Sequence, residues 1–125
     1  AIISNNPLVW DKYPSAVKVQ GDLKDVLIEV RNNIHQGQRL LTHPLTGSIK
    51  PNQTPYKSII LTLSPETKTV DLVSLQLIED ALDTADKFGP PRVKLNRGIL
   101  EDFQVIDLSF MESAWESLKP LGIGQ

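Results

Sequence analysis

Asp22 to Gly37 constrains this chain more than any other stretch. Leu23, Val26, Leu27, Val30 and Ile34 recur at helical spacing and fall on one face. Lys24, Asp25, Glu29, Arg31 and Asn32 lie off that face. Asp22 is placed to cap the first turn, and Gly37 stands where a glycine closes a last turn. Full burial of the five apolar side chains contributes ~7–15 kcal/mol before entropy is subtracted. A helix of this kind must lie against something apolar, so the chain must supply a facing layer.

The rest of the sequence supplies that layer as strands. Ala1-Ile2-Ile3-Ser4 is a short apolar run ended by Asn5-Asn6-Pro7, and it predicts a first strand and its loop. The loop is expected to continue through Trp10 to Pro14. Ala16 to Gln20 alternates and contains β-branched residues, so a second strand is expected. Ser58 to Leu63 is a continuous apolar strand suited to burial on both faces. Ser64 to Lys68 has the composition of a turn. Asp71 to Phe88 predicts a second long helix, with Leu75, Ile78, Leu82 and Ala85 inward and Gly89-Pro90-Pro91 as its stop. Val93 to Leu95 and Gln104 to Leu108 have strand character. Ser109-Phe-Met-Glu112 matches a capping box opening a short last helix that Pro120 ends. The expected fold is a single α/β domain over residues 1–125: a layered, mainly parallel sheet of about four strands covered by three helices. The first two strands could pair antiparallel. Its core is expected to join Leu23, Val26, Leu27, Val30, Ile60, Leu61, Ile78, Leu82, Val105 and Ile106.

Several function classes fall away on composition. The 125 residues include no cysteine, which removes disulfides, thiolate metal sites and cysteine nucleophiles. Thirteen basic against fifteen acidic residues leave a net charge of −2, so nothing points to nucleic acid. No apolar run approaches the ~20 residues of a membrane span. The N-terminus lacks the layout of a secretory leader, and the chain is expected to be cytoplasmic. Walker, dinucleotide-binding and nucleophile-elbow motifs are absent. His35 and His43 are the only histidines. They are too few for a dedicated metal site, and no cofactor is expected. His35 suits the C-terminal end of its helix dipole. His43 is the candidate general acid or base, although an ordinary loop histidine has the same appearance. Glu79, Asp80, Asp83 and Asp86 read as a solvated acidic helix face.

One segment departs from the chain's average. The 36 residues between Glu29 and Glu66 contain no acid, while Arg31, Arg39, Lys50 and Lys57 give them a formal charge of +4. Residues 38–57 form a long stretch without period, and such loops are commonly functional. Arg39, Lys50 and Lys57 can donate charged hydrogen bonds, and Gly47-Ser48 can offer backbone N–H groups, so an anion is the expected ligand. Asn5 and Asn6 are further candidates, because ligands of open α/β sheets gather beyond strand ends. Trp10, Tyr13 and Tyr56 are candidate anchors for a protein partner or, equally, cover for the sheet ends. A small enzyme using His43, with lysine or arginine stabilising charge, and a pure interaction module are the alternatives.

The run His35-Gln-Gly-Gln-Arg-Leu-Leu-Thr-His-Pro-Leu-Thr-Gly-Ser-Ile-Lys-Pro-Asn-Gln-Thr-Pro-Tyr-Lys-Ser58 resembles the GrdX family. Ile3-Ser-Asn-Asn-Pro7 and the helix Val26 to His35 resemble it too. These are small proteins encoded beside the glycine, sarcosine and betaine reductase genes of amino-acid-fermenting anaerobes. The resemblance implies a cytoplasmic accessory protein; taken with the acid-free segment, the leading reading is a non-catalytic accessory or regulatory protein that binds a small anionic metabolite, or a reductase-system protein partner, through the His43–Lys57 loop. It supplies context and no catalytic mechanism.

Overall fold

The fold is taken from a computed structural model that describes residues 1–44, 54–63, 69–88 and 96–121. Strand β1 (Ile2–Ser4) lies in the middle of a three-stranded sheet, between β2 (Val17–Lys18) and β3 (Ser58–Ile60). β1 and β2 run parallel, pairing Ile3 with Val17. β1 and β3 run antiparallel, pairing Ile2 with Ile60, Ile3 with Ile59 and Ser4 with Ser58. A further antiparallel bridge joins Leu40 to Leu61. The sheet is therefore mixed, with three strands among the described residues, and not the mainly parallel four-stranded sheet expected from the sequence. The fourth expected strand, Gln104 to Leu108, is helical. Val93 to Leu95 lie outside the described residues, as does the turn Ser64 to Lys68.

Among the described residues, four helices flank the sheet: α1 (Pro7–Lys12), α2 (Leu23–His35), α3 (Leu72–Phe88) and α4 (Arg97–Leu118). In α2 the Asp22 carboxylate accepts from the Asp25 N–H at 3.1 Å, and the Asp25 carboxylate accepts from the Asp22 N–H at 2.9 Å. Gly37 has φ 105° just past the helix, a conformation open to glycine. Ahead of α3, the Asp71 carboxylate accepts from both the N–H and the hydroxyl of Ser74, at 3.0 and 2.6 Å.

Strand alternation explains the layering. Ile3, Ile59 and Leu61 join Leu23, Val26, Leu27, Val30 and Ile34 of α2 and Ile78, Ala81, Leu82 and Ala85 of α3 in one buried cluster. Ile2 and Ile60, one residue out of phase, join Val9, Ala16 and Met111 in a second cluster on the opposite face. Leu108, Ala114, Trp115 and Leu118 of α4 cover that cluster together with Trp10 and Tyr13. Burial of β3 on both faces is what its unbroken apolar run predicts.

Two expectations fail in the second layer. Pro7 to Lys12 is a helix and not a loop. Proline fits a first helical position because its missing N–H has no partner to lose there, and Asn6 caps the turn by accepting from the Leu8 N–H at 3.1 Å. Residues 97–118 form one unbroken helix, so the Ser109–Glu112 motif lies inside it and opens nothing. Asn96 is the actual cap, accepting from the Ile99 N–H at 2.9 Å. No proline interrupts the segment, and Leu108, Met111, Trp115 and Leu118 form a helical stripe packed on the core. That burial overrides the strand preference of Val105 and Ile106. Those two residues are 58% and 38% exposed, outside the core where they were expected.

Candidate functional site

The register of β1 against β3 sets Ser4 opposite Ser58 on the face that α4 covers, at the end of the apolar layer. Their hydroxyl oxygens are 2.7 Å apart. Apolar residues here would simply extend the core; two hydroxyls demand partners. Ser58 donates to the Asp107 carboxylate of α4 at 2.7 Å. Asn6 donates from Nδ2 to the same carboxylate oxygen at 3.0 Å and to the Gln104 carbonyl at 2.9 Å. The Asn6 N–H donates to the Ser4 hydroxyl at 2.9 Å. Ionised Asp107 is acceptor only, so the Ser58 hydroxyl donates a hydrogen bond to it and the Ser4 hydroxyl in turn donates to Ser58. The result is a closed ring of hydrogen bonds running Asn6, Ser4, Ser58, Asp107 and back to Asn6.

Asn5 fixes the neighbouring chain. Its Oδ1 accepts from the Lys57 N–H at 2.9 Å, and its Nδ2 donates to the carbonyls of Pro55 and Gly21 at 2.7 and 3.0 Å. Tyr56 accepts at its hydroxyl from Gln104 Nε2 at 2.8 Å. Trp10 Nε1 donates to the Ser4 carbonyl at 2.8 Å. Tyr13 stacks at a tilt on Trp115, ring centres 5.5 Å apart. Trp10 and Tyr13 pack against the second core cluster, and all three aromatic residues are half-buried.

A concavity of about 30 Å³ opens beside the ring, lined by Thr42, Lys57, Ser58, Asp107, Phe110 and Met111 among others. This exceeds the ~10–15 Å³ that one water requires. Burial dominates both ionisable groups there. It pushes the Lys57 ammonium down to about 8, against the opposing pull of the Asp107 charge. It pushes Asp107 up from the usual carboxylate range, against the hydrogen bonds from Asn6 and Ser58 and the charge of Lys57. Both groups are held in their less favoured surroundings by the packing of α4 on β3.

The remaining expected residues are distributed elsewhere. Arg39 lies at the other end of β3: its N–H donates to the Thr62 hydroxyl at 3.0 Å. Five residue steps of extended chain, about 17 Å, separate Thr62 from Lys57. Arg39 borders a second, open concavity of about 390 Å³ with Gly37, Thr69, Val70, Asp71 and Leu72. Arg39 and Lys57 are therefore not brought together. His35 is exposed at the end of α2, and His43 is exposed and lines neither concavity. Gly47, Ser48 and Lys50 lie outside the described residues. Asp107, Ser58 and Gln104 are the residues that sequence reasoning missed. Asp107 falls in the segment Gln104 to Leu108, whose composition favours a strand, and it becomes conspicuous only once 97–118 is one helix that brings it against Ser58. Of the acidic face of α3, Glu79 meets Arg31 at 3.4 Å and Asp86 meets Lys24. Among the described residues, no three His, Asp or Glu side chains group as a metal site, and no helix is long and apolar enough to cross a membrane.

The molecule is thus an α/β protein whose mixed sheet carries at one end a mainly apolar concavity bordered by Lys57, Ser58 and Asp107. The description of the GrdX-like protein family matches residues 1–116, and the chain belongs to that family. No curated protein and no solved structure matches the chain.

Proposed function

We propose that this chain is a non-catalytic accessory or regulatory protein of glycine, sarcosine and betaine reductase metabolism, and that it binds a small anion beside Lys57. Membership of the GrdX-like family supports the proposed metabolic setting. The ligand class rests on one observation: the Lys57 ammonium borders a concavity where burial has already weakened its hold on its proton. An anion placed there offsets the desolvation of the ammonium. The Thr42 hydroxyl on the same concavity accepts from the Ile60 N–H at 3.1 Å and keeps its own proton to donate. Asp107 opposes an anion when ionised and donates to it when protonated. Binding therefore strengthens as pH falls toward the raised value of that carboxyl. The acid-free segment supports the same reading, because residues 45–53 join Pro44, two residues past Thr42, to Thr54, three before Lys57. Arg39, at the far concavity, does not serve this site; Gly47, Ser48 and Lys50 are proposed to add donors from the joining segment.

The test is a set of melting curves in acetate, phosphate, sulfate and glycine, each against chloride at equal ionic strength. A ligand at 100 times its Kd stabilises by about 2.7 kcal/mol. Sulfate and phosphate also stabilise by exclusion, so Lys57→Met and Lys50→Ala are run beside the parent. A shift lost in Lys57→Met supports the site. Equal shifts in all three proteins refute it and favour a partner protein as the ligand of this end.

A further inference from the structure

One oxygen of Asp107 is satisfied and the other is not. The bonds from Ser58 Oγ at 2.7 Å and Asn6 Nδ2 at 3.0 Å both fall on Oδ2. Among the described residues no hydrogen bond reaches Oδ1, and the Ser58 N–H adds only the smallest of the pulls on the carboxyl. An ionised carboxylate is acceptor only, and a buried acceptor without a donor costs free energy. Asp107 lines the concavity beside Lys57, so the donor that Oδ1 lacks can come from what occupies that space. Groups of the opposite kind line it too. The Lys57 ammonium carries three N–H donors and can give one to a ligand while keeping its present interactions. The Thr42 hydroxyl accepts from the Ile60 N–H at 3.1 Å and has its own proton to give. Phe110 and Met111 add apolar surface.

Size narrows the occupant. The concavity measures about 30 Å³. At ~10–15 Å³ for each water it holds roughly two or three, the bulk of a two-carbon acid. A ligand that displaces water from Oδ1 must replace its hydrogen bond or lose affinity. A simple carboxylate such as acetate has no proton to offer, and it meets a repelling charge until Asp107 protonates. We infer that the anion bound beside Lys57 is a small acid with a hydrogen-bond donor on the carbon next to its carboxylate, a 2-amino or 2-hydroxy acid. Its carboxylate accepts from Lys57 and Thr42, and its amino or hydroxyl group donates to Asp107 Oδ1. The inference rests on the anion site proposed above and specifies its ligand.

Calorimetric titration at neutral pH compares acetate, glycolate and glycine, of which the last two carry the donor. One or both are expected to bind about tenfold more tightly than acetate, the worth of one charge-assisted hydrogen bond. Whichever leads identifies the donor as hydroxyl or ammonium. Asp107→Asn can take the Ser58 and Asn6 bonds on its amide oxygen, which leaves an NH₂ group in the place of Oδ1. In that variant acetate is expected to bind at least as tightly as the other two. A second readout needs no variant. Lys57 is the one other charge acting on Asp107 among the described residues. Bound glycine, its ammonium on Oδ1, is therefore expected to lower the NMR titration of the Asp107 carboxyl, and acetate to raise it. Equal binding of the three acids, all lost in Lys57→Met, overturns this inference and leaves the anion site standing. So does a preference that survives Asp107→Asn, or a carboxyl titration that bound glycine fails to lower. No binding, or binding indifferent to Lys57→Met, overturns both.

Discussion

Asn6 and Asp107, 101 residues apart in the chain, are joined by a hydrogen bond of 3.0 Å from Nδ2 to the carboxylate. Asn6 is fully buried and also caps α1, so one side chain fixes the start of one helix and the position of another. Asn6→Leu removes three side-chain hydrogen bonds and strands their partners. Chemical denaturation is expected to show a loss of about 2–4 kcal/mol.

The two buried charges give the protein a distinctive pH profile. The folded value of Asp107 is raised, so its contribution to stability is fully present below the unfolded value of 3.8 and is lost as pH rises through the folded value. The folded value of Lys57 is lowered, so its contribution is present above the unfolded value of 10.5 and is lost as pH falls through about 8. Asp107→Asn is expected to remove the acidic limb, and Lys57→Met to flatten the profile between about 8 and 10.5. Denaturation midpoints across pH, compared with the parent, check both.

Val30 is wholly buried between α2 and its neighbours. Val30→Asp places an unpaired charge there and is expected to prevent stable folding. A soluble variant with a cooperative transition would contradict the assigned core.

Asp71→Ala removes both bonds to Ser74 at the start of α3. The expected cost is about 1 kcal/mol, read from denaturation at neutral pH. In the parent that cap weakens as pH falls through the carboxyl's value, which the Ser74 bonds hold below its usual range.

The parts of the fold legible in sequence are those where local and tertiary preferences agree. Asp22, the five-residue stripe and Gly37 mark α2 within a residue, because cap, period and stop coincide. β3 is legible because Ile59 and Ile60 face two cores at once. Asn6-Pro7 carries two meanings, turn and helix start, and only the burial of Val9 under the sheet decides between them. Val105 and Ile106 favour a strand by themselves; Met111 and Trp115, in the cluster that includes Ile60 of β3 and Val9 of α1, hold them helical. The site follows the same rule. Lys57, Asn5 and Asn6 stand out from sequence, whereas Asp107 depends on an α4 register that no local signal sets. Arg39 and Lys57 share a charge and a segment, but an intervening extended strand holds them apart.

The central claim is that an anion neutralises Lys57 beside Asp107. The most direct measurement is the titration of side-chain-labelled lysines by NMR, in chloride and then in acetate at equal ionic strength. The account predicts one lysine titrating near 8 in chloride, absent from Lys57→Met, whose pKa rises in acetate while the other lysines stay in place. A Lys57 signal with an ordinary lysine pKa, or one indifferent to acetate, phosphate and glycine alike, would contradict it.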